Sequence, residues 1–273
     1  MSGDTMMLLH TADESILNSD KYIYEEKYDG ERANLFVDKH GNITVIARSG
    51  RNITSEWPEF QELVLPPSSV FDGEIIVPSN IKFRDKPSTS GRSCVKSARQ
   101  CELLAKVKPA VLMCFDVRRY AYEDVESRPL SERRAILNRV QDQVSFKKIE
   151  QFSDGKALWE RVVSEGGEGV VAKKKNSIYQ DRRSYDWLKI KTWQEGDFKV
   201  VGYTSEKREI SALELEGGYK VNFAVSDAEY ARLLPKLKAN AGGFIAKVKY
   251  FSKSADGLRF PVLRELLEVG IDA

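Results

Sequence analysis

The sequence predicts an α+β protein with two domains, a large one of strands and helices and a small β-barrel. Strand and helix patterns interleave up to residue 193, whereas the residues after a polar break at Gln194-Glu195-Gly196-Asp197 contain several short strands and one helix. The length of 273 residues also exceeds the usual size of a single domain. We therefore place the domains at residues 1–193 and 194–273.

In the first domain, strands are predicted where short apolar runs alternate with polar residues or lie between turn residues. These runs span residues 32–37, 42–47, 70–77, 110–117, 168–173 and 186–191. Asp38-Lys39-His40-Gly41 separates the first two strands and is typical of a hairpin turn. Helices are predicted over residues 94–107, 129–142 and 154–165, the last with Ser153 or Asp154 as its N-cap.

The second domain has the pattern of a small barrel. Strands are predicted over residues 198–204, 210–215, 219–225 and 244–251, with one helix at 226–239. The OB-fold is the commonest small barrel that binds nucleic acids, so we expect an OB-fold here.

Composition narrows the class of protein. Apolar residues make up 41% and charged residues 31% of the chain, as in a globular protein with a real core. The formal net charge is only +2, from 43 basic and 41 acidic residues, so any basic binding surface must be local. The N-terminus has no signal-peptide pattern, and no stretch approaches the ~20 apolar residues of a membrane span.

Cysteine and histidine usage excludes several kinds of site. Cys94, Cys101 and Cys114 are an odd number without close pairs, which argues against a disulfide framework and a zinc site. Free thiols are typical of a reducing cytoplasm. His10 and His40 lie in unrelated contexts, so a His-based triad or a multi-His metal site is not expected.

The hexapeptide Lys27-Tyr28-Asp29-Gly30-Glu31-Arg32 is the most informative segment of the chain. A lysine amine can act as a covalent nucleophile when its neighbours activate it. The Asp-Gly pair favours a tight turn, and the arginine could bind a phosphate or a ribose. Taken alone, the hexapeptide is equally consistent with a hairpin tip that carries solvated charges.

Four further segments decide between these interpretations because they supply complementary groups. They are Phe71-Asp72-Gly73-Glu74, the run from Glu165 to Lys173, Leu188-Lys189-Ile190-Lys191, and Arg48-Ser49-Gly50-Arg51. Singly, each could be a turn or the solvated face of an edge strand. Together they offer a nucleophilic lysine, two carboxylates for a hard metal ion and two lysines for phosphates, which are the groups needed to attack a nucleoside triphosphate.

As a set, these segments resemble motifs of the covalent nucleotidyltransferases, in the order found in ATP-dependent DNA ligases. KYDGER, FDGE, EGVVAK and LKIK are similar to motifs I, III, IV and V of that family. The resemblance implies an ATP-grasp-like adenylyltransferase domain of packed antiparallel sheets with flanking helices, followed by an OB-fold. It also implies a minimal ligase that acts as a monomer on nicked double-stranded DNA, with ATP, a lysine–AMP intermediate and Mg²⁺, or Mn²⁺ in its place.

The resemblance assigns a role to each matching position. Lys27 would be the adenylated nucleophile, and Glu74 and Glu168 would hold the metal. The nucleotide would be bound by Glu25, Arg32, Glu74, Phe115, Lys189, Lys191 and Arg264. Within this set Glu25 would read the adenine amino group, and Phe115 would stack on the base, although a core aromatic is the alternative for Phe115.

Basic residues that could contact DNA phosphates fall in three segments. Residues 82–99 carry six basic residues, residues 173–191 carry seven, and the third segment is the Arg48–Arg51 run. We expect the DNA surface to include Arg48, Ser49, Arg51, Arg84, Lys86, Arg92, Arg182 and Arg183. Ordinary solvated loops are the alternative interpretation.

The match is weakest near the C-terminus. Arg259-Phe260-Pro261 resembles the approach to the sixth ligase motif, but the Arg-x-Asp-Lys core of that motif is missing, and Arg264 is the nearest substitute. An RNA ligase or an mRNA-capping guanylyltransferase would share the lysine chemistry. A catalytically silent DNA-end-binding module is a further alternative, although a binding protein has no need of Lys27 in this motif.

Overall fold

The computed structural model of the protein describes residues 6–78, 92–95, 97–254 and 257–269. The chain divides into two compact units, Met1–Lys191 and Thr192–Ala273. That division lies two residues before the domain boundary drawn from the sequence. Among the described residues, the helices are too short or too polar to cross a membrane.

The described part of the first unit combines strands and three α-helices in an α+β arrangement. Its strands are β1 (Leu8–Thr11), β2 (Tyr22–Glu26), β3 (Glu31–Val37), β4 (Ile43–Ala47), β5 (Ser69–Ile76), β6 (Val111–Tyr120), β7 (Glu123–Asp124), β8 (Phe146–Lys148), β9 (Gly169–Lys174) and β10 (Arg183–Lys191). Its helices are α1 (Ala98–Val107), α2 (Leu130–Leu137) and α3 (Gly155–Glu165). Every strand and helix predicted in this unit is present, and Asp154 caps α3 by accepting a hydrogen bond from the Ala157 N–H at 2.9 Å.

The described strands of the first unit form two sheets. One has the strand order β1-β10-β9-β2, and the other has the order β4-β3-β5-β6-β7 with β8 beside β6. Pairing is mostly antiparallel, as predicted, but β1 runs parallel to β10 and β8 runs parallel to β6. The four short strands β1, β2, β7 and β8 lack a clear alternating pattern in the sequence, which is why they were not predicted.

The segment Lys27-Tyr28-Asp29-Gly30 links the two sheets, because β2 belongs to the first sheet and β3 to the second. A small apolar cluster contains residues from both sheets, including Phe115 of β6 and Trp187 of β10. A larger core lies against the second sheet around Trp57 and Phe71. The hexapeptide from Lys27 to Arg32 therefore begins where one sheet ends and the other starts.

The second unit is an antiparallel sheet with one α-helix. Its elements are β11 (Gln194–Thr204), β12 (Ala212–Leu215), β13 (Tyr219–Asn222), α4 (Asp227–Ala239), β14 (Phe244–Tyr250), β15 (Ser252–Ser254), β16 (Gly257–Arg259) and β17 (Val262–Glu268). The main sheet has the order β13-β12-β11-β14-β17, and β15 pairs with β16. Ser226 caps α4 in a capping box with Glu229, and the buried side of the helix packs into the core through Leu233 and Leu237.

Candidate active site

Lys27 lies at the junction of the two sheets, where its amine contacts an acidic side chain. Its Nζ atom is 2.6 Å from Oε2 of Glu168, and its backbone N–H donates to the carbonyl of Gly169 at 2.9 Å. The other Glu168 oxygen, Oε1, is 3.1 Å from Nζ of Lys191. Glu168 is almost fully buried, whereas the two lysine side chains are each 20% exposed. One carboxylate therefore forms ion pairs with two lysines at the edge of the solvent.

Lys189 belongs to the same basic group. It is two residues before Lys191 on β10, so both side chains project from one face of the strand. Burial lowers the pKa of Lys189, and the positive charges of Lys191 and Lys27 lower it further. The structure thus brings together Lys27, Glu168 and the two lysines that the sequence singled out.

Glu74 approaches this group from the second sheet. Burial raises the pKa of the Glu74 carboxyl to about 7, and Glu168 also raises it, while Lys27 and Arg32 act in the opposite direction. The Gly30 N–H donates to Oε1 of Glu74 at 2.9 Å. Glu74 and Glu168 are therefore close enough for their charges to interact, although their carboxylates come from different sheets.

Gly30 is required at this point for space rather than for a positive φ. A Cβ atom placed on Gly30 would lie 2.2 Å from the carbonyl oxygen of Ile75 and 2.9 Å from Cγ of Glu74. The sequence suggested a tight Asp-Gly turn, but the structure shows a close approach of the chain to β5. Glycine lets the start of β3 pair with β5 and places Arg32 opposite Glu74.

A cavity of about 430 Å³, including its open mouth, extends from Lys27 between the sheets. It is lined by Leu9, Glu25, Glu26, Lys27, Tyr28, Arg32, Glu74, Phe115, Ile149, Val171, Lys173 and Trp187. Five of the residues predicted from the sequence, namely Glu25, Lys27, Arg32, Glu74 and Phe115, thus share one concave site. Its combination of aromatic walls and charged groups is typical of a small-molecule or cofactor pocket.

Two of the predicted nucleotide-binding residues have strong partners within the protein. Arg32 forms a bidentate ion pair with Asp72, at 3.1 and 2.7 Å, and donates to the carbonyl of Met7 at 2.6 Å. Glu25 is buried against Lys173, whose Nζ lies 2.7 Å away. Both side chains are therefore held in place by protein contacts.

Sequence reasoning did not assign Lys173 and Trp187 to the pocket. The Lys173 amine lies over the rings of Phe115 and Trp187, at 4.3 and 4.2 Å from their centres, and burial lowers its pKa. The buried Nε1 of Trp187 has no hydrogen-bond partner among the described residues. Strand alternation could have identified both, since Trp187 and Lys173 pair across β10 and β9 on the face that carries Lys189.

Asp72 and Tyr179 form a buried support behind Arg32, and sequence reasoning missed this too. The Tyr179 hydroxyl donates to Oδ2 of Asp72 at 2.6 Å and accepts from the Met7 N–H at 3.2 Å. Asp72 belongs to the FDGE segment, but only its neighbour Glu74 was assigned a role. Nothing in the sequence around Tyr179 signals a partner 107 residues away.

The carboxylates fit a magnesium ion that shares its coordination with a substrate. The described residues contain no cluster of three or more His, Cys, Asp or Glu side chains that could enclose a metal. Mg²⁺ is commonly held by one or two carboxylates together with phosphate oxygens and waters. Glu74 and Glu168 match that requirement, provided that Glu168 exchanges its lysine contacts for the metal.

The residues predicted to bind DNA fall into different environments. Arg48, Ser49, Arg182 and Arg183 are exposed. Arg51 is half exposed but forms ion pairs with Glu31 and Glu56, so its charge is already balanced. Arg84 and Lys86 lie outside the described residues. Arg264 is exposed on β17 of the second unit.

The prediction for Arg92 is wrong. Its side chain is buried, forms an ion pair with Glu59, and donates to the carbonyl of Lys108 at 2.8 Å. The guanidinium also lies 4.7 Å from the ring centre of Trp57. Arg92 therefore ties together the segments before and after α1 and does not face a phosphate.

The family model of the ATP-dependent DNA ligase domain matches residues 6–191, which is more than half of the chain. The chain belongs to the ATP-dependent DNA ligase family. A DNA ligase-like protein of a Bacillus subtilis prophage, LigB, is 31% identical over 212 residues, which is 76% of this chain and 73% of that protein. A Saccharolobus islandicus DNA ligase is 30% identical over 72% of this chain, and the match covers 33% of that protein's length.

The fold of this ligase is also found among solved structures. A Lig E DNA ligase, described as binding DNA with a minimal scaffold, aligns with a TM-score of 0.68 at 20% identity. The alignment covers 97% of this chain and 99% of that one. The mixed fold of many antiparallel strands is therefore shared with ATP-dependent DNA ligases.

Proposed function

We propose that this ligase seals nicks in duplex DNA through an adenylated Lys27. The position of Lys27 carries the proposal. Its amine lies at one end of a cavity with aromatic walls, beside Lys191 and a buried carboxylate. This arrangement supports attack on the α-phosphorus of a nucleotide whose base enters the cavity and whose phosphates lie near the lysines.

The reaction would proceed in three steps, each of which breaks one bond to phosphorus and forms another. The unprotonated Lys27 amine attacks the α-phosphorus of ATP, forming a P–N bond as pyrophosphate leaves. The 5′-phosphate at the nick then attacks the same phosphorus, so that AMP passes to DNA and Lys27 is released. Finally the 3′-hydroxyl attacks the activated 5′-phosphate, and AMP leaves.

Residues around Lys27 would bind and orient the nucleotide. Lys189 and Lys191 would neutralise charge on the α-phosphate. Mg²⁺ held by Glu74 and Glu168 would supply further positive charge to the phosphate oxygens when it is bound. Arg32, fixed by Asp72, would contact the ribose side of the nucleotide.

The far end of the cavity favours adenine. Glu25 and Lys173 form a buried acceptor–donor pair there, with Gln151 donating to Oε1 of Glu25 at 3.0 Å. A carboxylate can accept a hydrogen bond from the adenine amino group. Guanine presents a carbonyl oxygen at the corresponding position, and two acceptor oxygens cannot form a hydrogen bond with each other. Phe115 would pack against the base.

The second unit would hold DNA as an OB-fold. The five-stranded order and the single helix between β13 and β14 support this assignment. Arg264 would supply the cation of the missing sixth motif. Exposed Arg48, Ser49, Arg182 and Arg183 would contact the phosphate backbone as the monomer binds the nick. The free cysteines support a reducing, cytoplasmic location.

The test is to incubate the protein with α-labelled ATP or GTP and to locate the adduct by mass spectrometry. We expect AMP on Lys27, and no adduct in a folded Lys27→Ala protein. The labelled protein is then offered nicked DNA or nicked RNA. Labelling by GTP, or sealing of RNA alone, would show that the proposed substrates, ATP and nicked DNA, are wrong.

A further inference from the structure

The face of β10 that carries the catalytic lysines continues past the cavity. Lys189 and Lys191 occupy odd positions of this strand, and Arg183 and Tyr185 occupy the odd positions at its other end. Two side chains at even positions, Leu188 and Ile190, instead pack in the core beside α3. Arg183 and Tyr185 therefore extend the phosphate-handling face toward solvent.

Tyr185 forms a flat exposed surface with His10. The two rings are parallel within 5°, with their centres 3.7 Å apart, and yet 69% of Tyr185 remains exposed. The pairing of β1 with β10 shifts here, because Leu9 pairs with Ser184 whereas the next residue, His10, pairs with Leu188. Such irregular pairing is common beside active sites, where it redirects a side chain.

Arg183 supplies positive charge beside this aromatic pair. Arg183 is exposed and donates to the carbonyl of Leu9, which fixes its side chain beside β1. The charge of Arg183 is also felt by Lys189, whose pKa it helps to lower. The one acidic neighbour on the strand, Asp186, is engaged by Lys174 at 2.7 Å and by Gln180 at 2.8 Å. Cations and a flat apolar ring side by side suit a sugar–phosphate backbone.

We propose that Tyr185, backed by His10 and flanked by Arg183, is a docking surface for the DNA backbone beside the nick. The proposal rests on the proposed nick-sealing function. Tyr185 is four residues from Lys189, or roughly 13 Å at the usual rise of a strand. Since base pairs are spaced by about 3.4 Å, the contact falls roughly four base pairs from the phosphate that Lys189 handles. The ring would pack against a deoxyribose, while Arg183 would pair with a phosphate.

Two variants separate the apolar contact from the ionic one. Binding is measured on a nicked duplex whose 3′ end is a dideoxynucleotide, so that it cannot be sealed. Tyr185→Ala should weaken binding by about five- to tenfold, because apolar contact area is lost, with the salt dependence unchanged. Arg183→Gln should reduce the slope of log K against log salt by about 0.9, the value for one phosphate.

The chain offers a matched control. Tyr122 is 68% exposed at the turn between β6 and β7, so Tyr122→Ala removes an equally exposed ring and should bind as the wild type does. Tyr185→Phe keeps the ring and should retain binding, which guards against a folding defect in the alanine variant. His10→Phe should likewise bind as the wild type does, whereas His10→Ala should bind more weakly.

Duplex length gives an independent readout. The arms beside the nick are closed by hairpin loops so that short arms stay annealed. Wild type and Tyr185→Ala should differ when both arms are about eight base pairs long, and should converge when the arms are cut to about three base pairs. If the wild type seals nicks and Tyr185→Ala binds DNA as tightly as the wild type does, the docking surface is wrong and the proposed function stands. Failure of the wild type to adenylate or to seal nicked DNA would overturn the proposed function.

Discussion

The carboxylate of Glu168 lies 2.6 Å from the amine of Lys27, the residue that we propose as the nucleophile. An ammonium in an ion pair cannot attack phosphorus, so this contact holds Lys27 in place before the nucleotide arrives. The same carboxylate also contacts Lys191. Glu168 therefore positions two lysines at once, and under the proposed mechanism it must release Lys27 before the amine attacks.

Glu168→Gln should separate this role from a general need for acidic residues. The variant loses the charge that holds Lys27 and Lys191 and that would bind the metal. We expect lysine–AMP formation to slow by about 100-fold or more, measured with labelled ATP in a single turnover. Glu26→Gln is the control, because Glu26 lines the same cavity but faces Arg161 at 3.6 Å. It should stay within about threefold of wild type, and equal losses in both variants would contradict the special role of Glu168.

Glu74 should make the folding stability depend on pH around neutrality. Its folded-state pKa of about 7 lies above its usual 4.5, so the folded protein favours the protonated carboxyl. The stabilisation from protonated Glu74 is therefore fully present below pH 4.5 and is lost as the pH rises through 7. Glu74→Gln keeps a neutral side chain at every pH. At pH 8 it should be more stable than wild type by about 1–3 kcal/mol, the range allowed by a partly exposed group.

Urea unfolding of both proteins between pH 5 and pH 8.5 measures this effect. The wild type should lose stability relative to Glu74→Gln as the pH rises from 5 to 7, and the difference should level off above pH 7. Glu74→Gln should lose adenylation at every pH. A constant difference between the two proteins across this range would show that Glu74 does not titrate as the structure indicates.

The sequence predicted the parts of the site that depend on local motifs, and missed those that depend on distant packing. Lys27, Glu74 and Glu168 stand in recognisable segments, so their convergence was foreseeable. Lys173 and Tyr179 gain their partners only when strands from both sheets meet. Charge patterns also cannot separate a solvated arginine from a buried one, because burial is decided by contacts across the fold.

Arg92 illustrates that limit and gives a direct test. Arg92→Met removes a buried cation and leaves Glu59 without its main partner, so we expect a loss of about 3–5 kcal/mol in unfolding free energy. At a temperature where both proteins are folded, DNA binding by Arg92→Met should depend on salt concentration as it does for the wild type. Arg48→Gln is the comparison, since Arg48 is exposed and its loss should reduce the salt slope by about 0.9. A reduced slope of log K against log salt in Arg92→Met would show that Arg92 contacts a DNA phosphate after all.

Gly30→Ala should disrupt the site through the backbone alone. The added methyl group would lie 2.2 Å from the carbonyl oxygen of Ile75, so β3 and β5 must separate where Arg32 and Glu74 face each other. Overpacking of this kind costs about 1–3 kcal/mol of stability. A displacement of about 1 Å can cost about 100-fold in rate, and we expect such a loss in lysine–AMP formation. Gly242→Ala is the matched control, because its added methyl group would meet nothing closer than Oδ1 of Asn240 at 3.6 Å. Adenylation at the wild-type rate in Gly30→Ala would show that the approach of the hexapeptide to β5 does not position the nucleophile.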